Sequence, residues 1–316
     1  PNTASVLIVS LGCEGTDHER MVKEISATGK RVEIIHIQEL GGVSKAIMAG
    51  TNIARRLVIE ASGMQRSPAD ISNVVMAIKC GASDTTSGMA SNCVIGYVAD
   101  RLVDLGATVV FGETTEFIGG EHLLARRAVS KEVGDQIYTI VNKMEARAKS
   151  LGCDMRKGQP TPGNIAGGLS SIEEKSLGAI VKSGTKPIQG VLDYPERVTN
   201  QKGLWIKDTP GREPEILTGM AATGAQFMMF STGRGAPQGF PSMPVIKICG
   251  NPNTYERMED DMDLNAGLII TGEKTIEQVG EEAFDKMIRT LNGEMTKNEA
   301  IQYFSSIDIQ CLGPVI

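Results

Sequence analysis

Two hydrophobic periods alternate along the chain. Runs in which most residues are apolar, "SVLIVSL" (residues 5–11), "RVEIIHI" (31–37), "NVVMAIKC" (73–80) and "GATVVFGET" (106–114), predict strands, several of them buried on both faces. Between them, apolar residues recur every three or four positions in "HERMVKEISATG" (18–29), "GVSKAIMAGTNIARRLVIEAS" (42–62) and "NCVIGYVADRLVDLG" (92–106), which predicts amphipathic helices. Strands and helices in alternation predict an α/β fold with mainly parallel, Rossmann-like sheets in three layers. A long helix over "KEVGDQIYTIVNKMEARAKSLG" (131–152) follows, with Gly152 placed to end it.

The second half repeats the rhythm, with a helix in "SIEEKSLGAIVKSG", strands in "KGLWIKD", "AQFMMFS" and "PVIKIC", and a helical ending in "TIEQVGEEAFDKMIRTLNG" and "TKNEAIQYF". Between the halves, "QPTPGNIAGG" (159–168) contains two prolines and three glycines and cannot continue a helix. It is the expected crossing between two α/β domains, residues 1–157 and 158–316. The length of 316 residues and 41% apolar content suit two such cores.

A formal net charge of −6, with both signs interspersed, excludes a nucleic-acid partner. No apolar run reaches the roughly 18 residues that a membrane span needs, and no signal peptide precedes the first strand, so a cytoplasmic protein without a membrane partner is expected. The six cysteines are scattered, unlike those of a zinc knuckle or a disulfide scaffold. The chain opens at Pro1 and reaches its first strand within a few residues, which reads as a piece of a longer protein.

In doubly wound sheets ligands bind beyond the carboxyl ends of the strands, so those loops are where chemistry is expected. Four are unusual: "GCEGTDHE" with Cys13 and Glu14, "CGASDTTSG" with Cys80, Ser83, Asp84 and Ser87, "GETTEFIGGEHLLARRA" with Glu113, Glu116, Glu121 and His122, and "STGRGAPQG" with Arg234. If the strands are neighbours, carboxylate, imidazole and thiol groups gather at one edge, the donor set of a divalent transition metal. Each residue also has a plainer reading. Asp84 suits a helix N-cap, Cys80 a buried thiol, His122 a capping or core histidine and Arg234 a turn residue. A nicotinamide fingerprint is absent, because the segment after "STGRG" is strand-like and no acidic residue follows at the expected interval.

The segments "KCGASDTTSGMASN", "GETTEFIGGEHLLARRAVS", "QPTPGNIAGGLSSIEEKSLGAI", "DTPGREPE", "FSTGRGAPQGFPSMPVIK" and "MEDDMDLNAG", running in order from about Gly12 to Gly267, resemble the altronate and galactarate dehydratase family. The resemblance implies a carbon–oxygen lyase that dehydrates a sugar acid to a 2-keto-3-deoxy acid with an Fe2+ or Mn2+ ion. It implies two alternatives as well, the large subunit of a sulfolactate sulfo-lyase or a catalytically incomplete fragment that binds a sugar acid. Family members usually carry a small antifreeze-like N-terminal domain or subunit, so such a domain or subunit is an expected partner of these residues, and a homo-oligomer is expected.

On that basis Cys80, Glu113 and His122 are expected to ligate the metal, and Glu121, His122 and Asp84 to carry acid–base catalysis. Arg234, Ser83, Ser87, Gly163, Asn164 and Gly168 are expected to bind substrate. In that expectation Arg234 grips its carboxylate, while Gly163, Asn164 and Gly168 form a backbone wall that a Cβ would obstruct.

Overall fold

The computed structural model describes residues 2–304 and 306–311, which divide into two compact units, residues 1–69 and 70–316. In the first unit β1 (Ser5–Ser10) and β2 (Arg31–His36) form a two-stranded parallel sheet, accompanied by helices His18–Ala27 and Val43–Ser62. Asp17 caps the first of these helices, accepting from the Arg20 N–H.

The second unit is built on β3 (Val75–Gly81), β4 (Thr108–Phe111), β5 (Ile188–Leu192), β6 (Gly203–Lys207), β7 (Phe227–Thr232), β8 (Val245–Cys249) and the short β9 (Leu264–Asn265). Their order across the sheet is β5-β6-β4-β3-β7-β8-β9, and every neighbouring pair is parallel. Successive side chains on a strand face opposite ways, so each strand contributes to two cores. Met76, Ile78, Phe111, Met229 and Ile248 join the core that also takes helices Asn92–Asp104, Lys131–Ser150 and Ile276–Leu291. Ala77, Val110, Met228 and Phe230 join the other, with Ile216, Leu217 and Met220 of helix Glu213–Ala222. The expected parallel α/β architecture is present, as one seven-stranded layered unit and one small two-stranded unit rather than two three-layer domains.

The expected boundary after residue 157 is corrected by the strand order. β4 pairs with β6 and β3 pairs with β7, so the two putative halves are interleaved in a single sheet. Long-range parallel pairing leaves no local trace in the sequence, whereas the break near residue 69 lies in the polar stretch after helix Val43–Ser62. Within "QPTPGNIAGG", helix Pro162–Ala166 starts at a capping box between Thr161 and Asn164, and the segment belongs to the second unit instead of joining two domains. Strand β5 was not anticipated either: Gln189 and Gly190 interrupt its apolar run, and the register shifts there.

Candidate active site

Three loops meet at the carboxyl ends of β3 and β7. The loop after β3 carries Ser83, Asp84 and Ser87; the second contains helix Pro162–Ala166; the third follows β7 through Gly233 and Arg234. Asn164 Nδ2 donates to the Ser83 carbonyl at 2.9 Å, and the Thr85 N–H donates to the Gly167 carbonyl at 3.1 Å. The Arg234 N–H donates to the Ala82 carbonyl at 2.9 Å, while its guanidinium donates to the Gly163 carbonyl. A Cβ on Gly233 would lie 1.9 Å from Asp84 Oδ1 and one on Gly167 would lie 2.7 Å from Asp84 Cβ, so both positions require glycine. Ser83, Asp84, Gly163, Asn164 and Arg234 thus lie at one loop junction, with Gly168 beside Thr85, whereas of the expected substrate-binding residues only Ser83 and Ser87 line the neighbouring cavity.

Asp84 is 4% exposed, and its carboxylate is fully engaged. Oδ1 accepts from the Ser87 N–H at 3.0 Å and from the Thr86 hydroxyl at 2.6 Å, and Oδ2 accepts from Asn251 Nδ2 at 3.0 Å. The capping reading of Asp84 therefore holds: it closes the start of the helical segment that runs as a π-turn over Ser87–Ser91 into helix Asn92–Asp104. A cavity of about 610 Å3 opens beside this turn, lined by Ser83, Asp84 and Ser87 from the loop and by Glu173, Glu174 and Lys175 from helix Ile172–Ile180. Arg234 is exposed at the loop junction, outside the cavity lining.

A second assembly lies buried at the ends of β3 and β4. Glu113, 1% exposed and in the left-handed backbone region at φ +70°, aims its carboxylate back at β3. Its Oε2 accepts from the Cys80 N–H at 2.9 Å and from Lys182 Nζ, and its Oε1 accepts from Lys79 Nζ at 3.0 Å. The Cys80 thiol donates to Glu116 Oε2 at 2.8 Å, and Lys182 Nζ donates to Cys80 Sγ at 2.9 Å and to Glu116 Oε2 at 3.1 Å. Lys175, at the cavity, stands 4.0 Å from Glu116.

The electrostatics follow from this geometry. Burial would lower the pKa of Lys182, but the Glu113 and Glu116 carboxylates around it, with its hydrogen bond to Cys80, raise it well above the usual lysine value. Burial likewise opposes ionisation of Glu116, yet the Lys182 and Lys175 ammoniums win and hold its carboxyl down, at about 2. Burial, with Glu113 and Glu116 nearby, pushes the Cys80 thiol well up, so it stays protonated at neutral pH.

Cys80, Glu113 and Glu116 bring ligand-type atoms within 4.8 Å of one another, which is donor chemistry for a divalent metal. The Lys182 ammonium, however, is hydrogen-bonded to all three of those groups. A dication coordinated at about 2.0–2.3 Å by the same atoms would press against a positive charge. As placed, the triad does not fit a metal ion.

Two expected participants stand elsewhere. His122 is exposed on helix Glu121–Arg126, whose buried side chain is Leu124, and it faces a shallow pocket with Arg126, Lys131, Asp135 and Tyr138. In that short helix, the two-residue offset from the buried Leu124 puts His122 on the outer side, so it joins neither Cys80 nor Glu113. Glu121 accepts from the Gly119 N–H and pairs with Arg156 at 3.3 Å, a first-turn carboxylate in an ion pair. Cys13 and Glu14 follow β1 on the separate two-stranded sheet, where Glu14 folds back to accept from the Leu11 and Gly12 N–H groups at 2.9 and 2.6 Å. Sequence reasoning gave no role to Lys79, Lys182 or Asn251. The usable signal was a lysine inside an otherwise apolar run, as in "VVMAIKC" and "GAIVKSG".

Comparison with known proteins places this arrangement. Residues 71–311 match the family described as D-galactarate/Altronate dehydratase, C-terminal, and residues 1–62 match D-galactarate dehydratase/Altronate hydrolase, second domain, in agreement with the two compact units. The chain is similar to the (2R)-sulfolactate sulfo-lyase subunit beta of Chromohalobacter salexigens, with 38% identity over 95% of this chain and 77% of that protein. It is also similar to galactarate dehydratase (L-threo-forming) of Escherichia coli, 36% identical over 92% of this chain and 56% of that protein. Altronate dehydratase of Bacillus subtilis is 33% identical over 95% of this chain and 59% of that protein. Against the two dehydratases the chain spans little more than half their length. No helix among the described residues is long and apolar enough to cross a membrane. With both segments matched in order and the motif-bearing loops meeting at the carboxyl end of one parallel sheet, the chain belongs to the D-galactarate/altronate dehydratase family.

Proposed function

We propose that this chain carries the catalytic part of a lyase that removes water from a sugar acid of the galactarate or altronate kind, giving a 2-keto-3-deoxy acid. The observation that carries this reading is 33–38% identity, over at least 92% of the chain, to proteins named as galactarate dehydratase, altronate dehydratase and a sulfolactate sulfo-lyase subunit. The cavity at the strand ends supports it, being large enough for a six-carbon acid and lined by hydroxyls, carboxylates and an ammonium.

In this reading the Lys175 ammonium holds the substrate carboxylate, and Ser83 and Ser87 hydrogen-bond its hydroxyls. The proton on the carbon next to the carboxylate passes to Glu173, the carboxylate on the exposed side of helix Ile172–Ile180 at the cavity. The electron pair left behind forms the carbon–carbon double bond as the β-hydroxyl departs as water, taking the proton that Glu173 has just gained; the enol then becomes the keto acid. A positioned base of this kind contributes on the order of 10²- to 10⁴-fold. Asp84 holds the loop in place, Arg234 ties it to Gly163, and His122 has no part. The divalent ion implied by the resemblance, Fe2+ or Mn2+, finds no ligand set at the ammonium-filled triad.

The identity and coverage shared with the sulfo-lyase subunit favour a second reading, in which the same elimination breaks a carbon–sulfur bond and releases sulfite from sulfolactate. That relative's name, subunit beta, supports a partner subunit here too, alongside the homo-oligomer expected from the sequence. The test is an assay of the chain with galactarate, altronate and (2R)-sulfolactate, reading keto acid and sulfite separately. Keto acid from a sugar acid supports the dehydratase, and sulfite supports the sulfo-lyase. Binding of these acids without either product would leave only a sugar-acid-binding fragment.

A further inference from the structure

The cluster beneath the cavity has the donor types of a metal site and the occupancy of an ion-pair network. Two carboxylates, Glu113 and Glu116, face two ammoniums, Lys79 and Lys182, and all four side chains are 10% exposed or less. The charges balance within the chain. We propose that Lys182 is the resident cation of the Cys80–Glu113–Glu116 triad, so that the triad is an internal, metal-excluding lock and any divalent ion is held by other groups.

The backbone around Lys182 shows why it does not yield the position easily. It sits in the 3₁₀ turn Val181–Ser183, which closes helix Ile172–Ile180. Helix Asn92–Asp104 presses on this turn through Gly96, where a Cβ would lie 2.5 Å from the Val181 carbonyl. Asp100 then accepts from the Thr185 N–H and hydroxyl, both at 2.7 Å. Arg127 donates to Ser183 Oγ at 2.9 Å and to the Lys186 carbonyl at 2.9 Å. The segment is clamped on both sides of the lysine, so withdrawing its ammonium would require moving the turn. Nearby, Glu116 meets Lys175 at the cavity wall, and this contact ties the lock to the cavity.

This inference stands apart from the lyase reading, because its readout is a spectrum of the resting chain and requires no substrate. The full chain, stripped of metal and kept reduced, is titrated with Co2+, whose coordination by a thiolate gives an intense near-ultraviolet band. Wild type and Cys80→Ser are expected to give the same spectrum, with no band that depends on Cys80. A stoichiometric band in wild type that disappears in Cys80→Ser overturns the proposal. Lys182→Met empties the triad of its cation; it is expected to acquire a Cys80-dependent band and to bind Co2+ at least tenfold more tightly than wild type. A Lys182→Met chain that is folded, as judged by circular dichroism and a cooperative unfolding transition, and still shows no such band overturns the assignment of Lys182 as occupant. If that variant fails to fold, the comparison of wild type with Cys80→Ser still decides.

Discussion

Lys247 of β8 is fully buried, and its Nζ has no hydrogen-bond partner among the described residues; it lies 3.7 Å from the centre of the Phe230 ring. Burial drives its pKa well below the usual lysine value. Lys207 of β6, also buried, falls to about 8 for the same reason, although its Nζ donates to the Glu196 carbonyl at 2.6 Å. Both groups hold a proton less tightly in the folded chain than in the unfolded one. Between the folded pKa and about 10.5 the unfolded chain therefore binds more protons, and these residues make stability rise with pH, for Lys207 from about pH 8 upward. Lys247→Met is expected to stabilise the protein at pH 7 by about 1–3 kcal/mol, since it replaces an unpartnered buried amine by an apolar side chain of similar length. Denaturant unfolding checks it, and a loss of stability would show that the amine makes a contact worth keeping.

Lys182 behaves in the opposite way. Removing its ammonium leaves Glu113 and Glu116 with one buried cation fewer, and Lys182→Met is expected to cost about 3–5 kcal/mol at pH 7. Glu116 has its carboxyl held down to about 2, so its contribution is complete above the ordinary carboxylate range and is lost as pH falls toward 2. An acid unfolding limb that steepens over that window in wild type and flattens in Glu116→Gln would bear this out. These residues show what the sequence made legible. Cys80, Glu113 and Asp84 could be singled out because they follow apolar runs at strand ends. The partners that define their chemistry, Lys182 and Asn251, come from distant segments and are joined to them by folding alone. His122 stands apart from Cys80 and Glu113 although its glycine- and acid-rich neighbours resemble a site, because its side of a short helix is fixed only by Leu124 packing inward.

At the scale of elements, the candidate site depends on close backbone approach. The π-turn Ser87–Ser91 meets helix Ile172–Ile180 at Gly88 and Gly178, where a Cβ on Gly178 would lie 3.3 Å from the Gly88 Cα, so backbone must give by a few tenths of an ångström to admit it. Gly178→Ala should therefore push the helix away from the turn and widen the cavity that both line. In the lyase reading this raises KM severalfold while the central sheet keeps its stability to within about 1–2 kcal/mol. A KM unchanged from wild type would separate the cavity from the reaction. Asp84→Asn tests the loop in another way. The cap oxygen persists, but one acceptor that holds Asn251 or Ser87 becomes a donor, so a stability loss of about 1–2 kcal/mol is expected from the cap network. Strands and long helices were legible here because their periods are local. The π-turn was not, since its extra residue has no signature in polarity.

At the scale of the molecule, sheet order decides what can fold alone. A division after residue 157 would leave β3 and β4 in one piece and β6 and β7 in the other, although β4 pairs with β6 and β3 with β7 at the centre of the sheet. Each piece would expose unpaired parallel strands and half of both cores, and parallel strands rely on cover on both faces. A fragment of residues 70–316 keeps all seven strands, both cores, the lysine-filled cluster and the cavity. It is expected to unfold cooperatively with far-ultraviolet circular dichroism typical of an α/β protein, whereas a fragment of residues 158–316 is expected to be insoluble or without a cooperative transition. Cooperative unfolding of the 158–316 fragment would mean that β5, β6, β7 and β8 can close a core without β3 and β4 between them. That outcome would contradict the strand order on which the whole candidate site is positioned, because Cys80, Asp84 and Glu113 all issue from the two strands such a fragment lacks.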